Sequence, residues 1–145
     1  MATGDLIVFE EAKATMLDGD WAASDDFYCA ICNNTPAPTA ADAAPVIGDY
    51  TQVGAAGTYT TNGTNLGALS VLVAEAGGTM TFDSATNPTW AQDGSNALDA
   101  TWAIIYNFTD AGKDALAFID LGGPVDMSAG ALTVTFNASG LFTIA

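Results

Sequence analysis

The sequence predicts an all-β fold, an antiparallel β-sandwich (jelly-roll or immunoglobulin-like) of about eight strands with one short N-terminal helix. Three observations lead there. From residue 26 onward, apolar and alternating runs are cut by Gly, Asn, Asp and Pro at roughly eight- to fifteen-residue intervals. Only one stretch carries helical spacing. The Gly and Thr content of the remainder opposes further helix.

Taken in order, Leu6-Ile7-Val8-Phe9 is a short apolar run that suits either a docking arm or an inner strand of the sandwich. Phe9 to Leu17, FEEAKATML, switches to helical spacing: Phe9, Ala12 or Lys13, and Met16 share a face, and Glu10 and Glu11 suit a first turn. Leu17-Asp18-Gly19-Asp20 reads as its stop. The expected strands are Phe27–Cys32, Tyr50–Val53, Leu66–Ala74, Thr79–Phe82, Thr101–Phe108, Ala115–Leu121, Ala131–Phe136 and Leu141–Ile144. Thr109 to Asp114 forms a hairpin loop between two strong strands, and Asn137 to Gly140 joins the last two. Pro36 to Pro45, PAPTAADAAP, is an extended surface loop, and Gly54 to Asn65 is a wide turn. No repeat and no second core is visible, so residues 1–145 make one domain, with an N-terminal arm and helix over about 1–20.

At 145 residues the chain can bury a core without disulfides. Its longest apolar runs fall well short of the ~20 residues of a membrane helix. No secretory signal is visible at the N-terminus.

Charge narrows the function. Seventeen Asp and Glu face two basic residues, Lys13 and Lys113, giving a net charge of −15 with no histidine. Nucleic-acid binding needs Lys and Arg against phosphates, so that class is excluded. Without histidine, Ser-His-Asp and Cys-His constellations cannot be built. A pair of carboxylates remains conceivable for glycan hydrolysis, but nothing selects a pair among seventeen. Both lysines sit in polar, exposed settings unsuited to Schiff-base chemistry. The expectation is a protein that is not an enzyme, with no catalytic, metal or cofactor-binding residues.

Cys29 and Cys32 stand as C-x-x-C. On a strand, residues three apart point to opposite faces, so the thiols can neither bond to each other nor grip one metal. A zinc site would need two further ligands, and the chain has no other Cys and no His. They read as buried core thiols. Asp18-Gly19-Asp20 with Asp25-Asp26 invites a calcium reading, but an EF-hand loop would want ligands where Ala22 and Cys29 stand. The four sequons, at Asn33, Asn62, Asn107 and Asn137, read as turn chemistry. Trp102, Ile104 and Tyr106 share a strand face and belong to the core, whereas Trp90, after Pro88, reads as the exposed tryptophan.

Several segments together resemble a family. FEEAKATMLDGDWAASDDFYCAICNN is similar to the opening of a group of small virion proteins of tailed bacteriophages. IGDYTQVGAAGTYTTNGTNLG matches that group through Gly57, Tyr59, Thr60, Gly63 and Leu66. TMTFDSATNPTW, WAIIYNFTDAGKDALAFIDLGG and GALTVTFNASGLFTI resemble its later strand, hairpin and closing-turn patterns. Pro36–Pro45 and the cysteines depart from it. The resemblance implies a structural protein that decorates or cements the capsid exterior, contacting the major capsid protein and its own copies, as trimers by analogy. Leu6, Ile7, Val8, Phe9, Pro36, Pro38 and Pro45 are the candidate capsid or subunit contacts. The alternatives are a tail or fibre component that binds a host glycan through a Trp90–Tyr59 patch, and a carboxylate-dependent hydrolase.

Overall fold

The structure, a computed structural model, describes residues 4–54, 57–96 and 99–144. Residues 1–3 of the expected arm and residues 55–56 of the Gly54–Asn65 turn lie outside the described residues. Strands hold 38% of the chain and helices 12%, in antiparallel sheets, which makes the fold all-β and sandwich-like.

The main sheet has five strands in the order β1 (Leu6–Val8), β8 (Ala115–Val125), β7 (Ala100–Asn107), β2 (Asp26–Cys32) and β3 (Thr64–Ala68). Its central strands carry unbroken apolar runs. Ala103 to Asn107 and Ala115 to Ile119 are buried at every position, because both faces of the sheet are covered. On one face, Phe9 stands 5.0 Å from Phe118 and 6.2 Å from Tyr50, and Trp102 meets Phe118 edge-on at 5.9 Å. On the other, rings join the main sheet to a three-stranded sheet ordered β10 (Phe142–Ile144), β5 (Thr79–Phe82) and β4 (Val73–Ala76). Trp21 meets Phe27 at 5.1 Å, Phe27 meets Phe82 at 5.6 Å, and Phe82 stacks on Phe142 at 5.2 Å. Each fully buried ring contributes about 1.5–3 kcal/mol of transfer free energy. A two-stranded ribbon, β6 (Thr89–Trp90) with β9 (Leu132–Thr133), completes the strands.

Helix α1 spans Glu10–Asp18, one residue later than the spacing predicts. Phe9 is extended and takes the N-cap position without a side-chain cap, and Gly19, at φ 77°, closes the helix in the left-handed region. The apolar run Leu66–Ala74 is not one strand. It divides into β3, a single helical turn α2 (Leu69–Leu72) and β4. Tertiary hydrogen bonds make the break: Leu69 N–H donates to Asp25 C=O at 2.8 Å and Ser70 N–H to Ala23 C=O at 2.9 Å. That turn carries the chain from the main sheet to the small one. Tyr50–Val53 forms only a bridge, Cys32 to Gln52, after a 3₁₀ turn at Ile47–Asp49. Ala131–Phe136 pairs only over Leu132–Thr133, whereas β8 runs on to Val125. The Thr109–Asp114 loop links β7 and β8 as expected, but Asn137–Gly140 leads between strands of different sheets.

Candidate functional site

The residues expected to make contacts divide into two groups. Leu6, Ile7 and Val8 form β1, half-buried at one edge of the main sheet, with Leu6 paired to Ile119 and Val8 to Ala117. Pro36 is exposed. Phe9 is fully buried between Tyr50 and Phe118, and Pro38 and Pro45 are buried too, so these three face the chain's own core rather than a neighbour. Pro45 lies inside because its C=O accepts from Ala115 N–H at 2.8 Å, tying the loop to the start of β8. The Pro/Ala loop is therefore anchored at Pro38 and Pro45, while Pro36, Ala37, Thr39, Ala41, Ala43 and Ala44 stay exposed on the surface.

Both cysteines are free, buried and on β2, with Cys29 opposite Ile105 and Cys32 opposite Trp102. Burial, and then the neighbouring Cys32, push the Cys29 thiol far above its ordinary range; burial pushes Cys32 up to about 12. Protonated thiols in a strand core are neither nucleophiles nor metal ligands at neutral pH. No group of three or more His, Cys, Asp or Glu among the described residues could hold a metal ion. Among them, too, no helix is long and apolar enough to cross a membrane.

Trp90 is not exposed. It keeps 5% of its surface, and Tyr59, 6.2 Å away, keeps 2%. The Asp93 carboxylate closes this corner, accepting from Thr58 N–H at 2.7 Å and Ser95 N–H at 3.1 Å. Burial works against its ionisation, yet the backbone donors of Ser95, Thr58 and Tyr59 prevail and hold the carboxyl below its usual range. Gly57 fits here because a Cβ would overlap that carboxylate. The Tyr59 hydroxyl donates to Gln52 Oε1 at 2.7 Å and accepts from Ile31 N–H at 3.4 Å, fastening the corner to β2.

Lys113 is half-buried rather than exposed, its Nζ 4.5 Å from the Phe108 ring centroid and 3.5 Å from Asn62 Oδ1. Beside it stands Asp114, half-buried. Burial raises its pKa, Asp110, Asp20 and Glu11 add to the shift, and the Trp21 indole offsets it only partly, having no partner of good hydrogen-bond geometry. Asp114 and Glu11 line a pocket of about 90 Å³. Ligand sites begin at roughly 300 Å³, so this space admits water rather than a sugar ring.

The larger cavity is one the sequence reading missed. A cleft of about 390 Å³ opens where the end of α1, the Trp21 connector and α2 meet the small sheet. Met16, Trp21 and Leu69 form one wall; Val73, Met80, Phe82, Phe142 and Ile144 form the other. Register explains the second wall. Phe82 pairs with both Val73 and Phe142, and Met80 with both Glu75 and Ile144, and opposed residues share a face of an antiparallel sheet. Among the described residues, two of the large apolar side chains left exposed, Met80 (38%) and Ile144 (41%), line the cleft; Leu17 on α1 and Val71 on α2 are exposed outside its lining. Comparison of the chain with protein families, with curated proteins and with solved structures returned no match.

Proposed function

We propose that the chain is a non-enzymatic structural protein of a tailed-bacteriophage virion, set on the capsid exterior against the major capsid protein and its own copies. The observation that carries this reading is the pairing of a strongly acidic body with an open apolar cleft. Seventeen acids against two lysines keep the protein off packaged nucleic acid and dissolved outside it. Met80 and Ile144, exposed in the apolar cleft on the small sheet, supply adhesion. The particle itself comes from the segmental resemblance, whose matching residues hold packing and turn positions: Tyr59 and Leu66 are buried, and Gly63 has φ +79°.

The glycan-binding alternative relied on Trp90 and Tyr59, and burial of both removes that platform. The hydrolase alternative has Asp114 and Glu11 in a pocket of about 90 Å³, too small for its substrate. Assays on host polysaccharide are expected to show no turnover. The deciding experiment is a particle reconstruction, or immunogold labelling with an antibody to this chain. Density on the capsid facets is expected; density at the tail, or none, overturns the proposal.

A further inference from the structure

We infer that the cleft between α1, α2 and the small sheet is a docking groove for an apolar segment of another protein, bordered by lysine or arginine. The inference rests on the reading that this protein works by contact, and it specifies the partner's chemistry. Three observations carry it. The first is exposure: among the described residues, the large apolar side chains of Met80 and Ile144 stay exposed while lining a cleft whose other walls are apolar. Scattered singly they would mean little, but gathered they mark an interaction site. The second is size. About 390 Å³ falls within the range of sites that engulf side chains, so the occupant inserts residues rather than resting a flat face.

The third observation is charge, which selects among occupants. Glu75, exposed and in register with Met80, shares the cleft face of the small sheet. In the chain, the exposed Asp18 and Asp20 stand between the lining residues Met16 and Trp21. Among the described residues no basic residue lines the cavity: Lys113 is engaged with Phe108 and Asn62, and Lys13, exposed one turn before Met16 on α1, is outside the lining. A second copy would bring another −15 to an acidic rim, and an anionic membrane would be repelled as well. An apolar segment with flanking cations satisfies both wall and rim, and such complementarity governs partner choice more than raw affinity.

The test uses the full chain and two synthetic peptides of roughly ten residues, with the same Leu/Phe centre and either Lys or Glu flanks. Titration is followed by calorimetry and by the total tryptophan fluorescence, of whose three sources only Trp21 lines the cleft. The Lys-flanked peptide is expected to bind at least about tenfold tighter than the Glu-flanked one, and the gap to shrink at about 0.5 M salt. Met80→Lys and Glu75→Lys, both at exposed positions, are expected to weaken the Lys-flanked peptide by about tenfold or more with unchanged melting. Equal binding of the two peptides, or none by about 1 mM, overturns the inference. Self-association abolished by Met80→Lys, or binding to phosphatidylcholine vesicles, would assign the groove to a second copy or to lipid and overturn it equally. The two proposals fail separately. Density away from the capsid sinks the virion reading and leaves the peptide result standing; capsid density with flat titrations sinks the groove alone.

Discussion

The contact between Phe27 and Phe82 is the place to ask whether the two larger sheets share one core. Phe27 is fully buried on β2 and Phe82 nearly so on β5, with ring centroids 5.6 Å apart and an interplanar angle of 75°. Replacing either ring by leucine keeps an apolar side chain of similar bulk, so each single change is expected to cost about 1–1.5 kcal/mol. The edge-to-face contact adds a pairwise part of about 0.5–1.5 kcal/mol, which either substitution alone removes in full. The double variant should therefore lose less than the sum of the singles by that amount. Urea unfolding of Phe27→Leu, Phe82→Leu and the double variant, followed by fluorescence and far-ultraviolet circular dichroism, measures the cycle. A coupling below about 0.3 kcal/mol would refute the reasoning, because independent sites add to within that margin. Different midpoints for the two probes would refute it too, since sheets that melt separately do not share a core.

Other positions follow from the same packing. Gly63→Ala places a Cβ against the Cys29 carbonyl at a residue whose φ is +79°, so it should cost more than about 2 kcal/mol in urea unfolding. Asn107 Nδ2 donates to the Asp25 carboxylate at 2.8 Å, in the interior. Asn107→Asp replaces that donor with a second carboxylate and is expected to lose about 3 kcal/mol or more at pH 7, partly regained by pH 4, in melting curves taken at both values. Neither thiol should react with a disulfide reagent in the native protein at pH 8, and both should react in urea; prompt native labelling would contradict their burial. The same shifts set an alkaline limb. The native thiols and the Tyr59 and Tyr106 phenols keep their protons above their ordinary pKa values of 9.0 and 10.0, whereas the unfolded chain releases them. Stability should fall as pH rises beyond about 9, with a shallower fall in a Cys29→Ala, Cys32→Ala variant. At the acid end, Asp42, Asp93 and Asp126 are held below 3.8, so their stabilisation is complete above that value and is lost as pH falls through their native pKa values; melting scans from pH 5 to pH 2 measure it.

Much of the main sheet was legible because local pattern and tertiary role agree there. YCAIC, WAIIY and ALAFI are unbroken apolar runs, and they became the central strands covered on both faces. The sequons were legible as turns for a related reason. Asn33, Asn107 and Asn137 each accept, through Oδ1, the N–H two residues on, and a Ser or Thr at that position is what makes the sequon. What failed was decided from outside the segment. Leu66–Ala74 reads as one strand until Asp25 and Ala23 supply acceptors that bend it. Trp90 reads as exposed until Tyr59 covers it. The cleft had no local signature, since Met16, Trp21, Leu69, Met80 and Ile144 come from separate elements and meet only after the small sheet folds over.

The large negative charge needs two explanations, and the structure separates them. A chain with two lysines cannot offset its acids with ion pairs, so backbone N–H groups serve instead. Asp93 takes those of Thr58 and Ser95, Asp110 those of Gly112 and Lys113, Asp126 that of Ser128, Asp49 that of Val46, and Asp120 that of Gly122. Asp42 takes the Thr39 N–H and the Tyr50 hydroxyl. These carboxylates clip loops, and each charge-assisted bond is stronger than its neutral counterpart. Their number follows from a β fold with many turns and says little about a partner. Glu75, Asp18 and Asp20 differ, because they are exposed on or beside the elements that build the apolar cleft. If charge selects what this protein touches, it acts through these few acids. Neutralising a loop clip should therefore lower stability and leave recognition intact, whereas changing Glu75 should do the reverse.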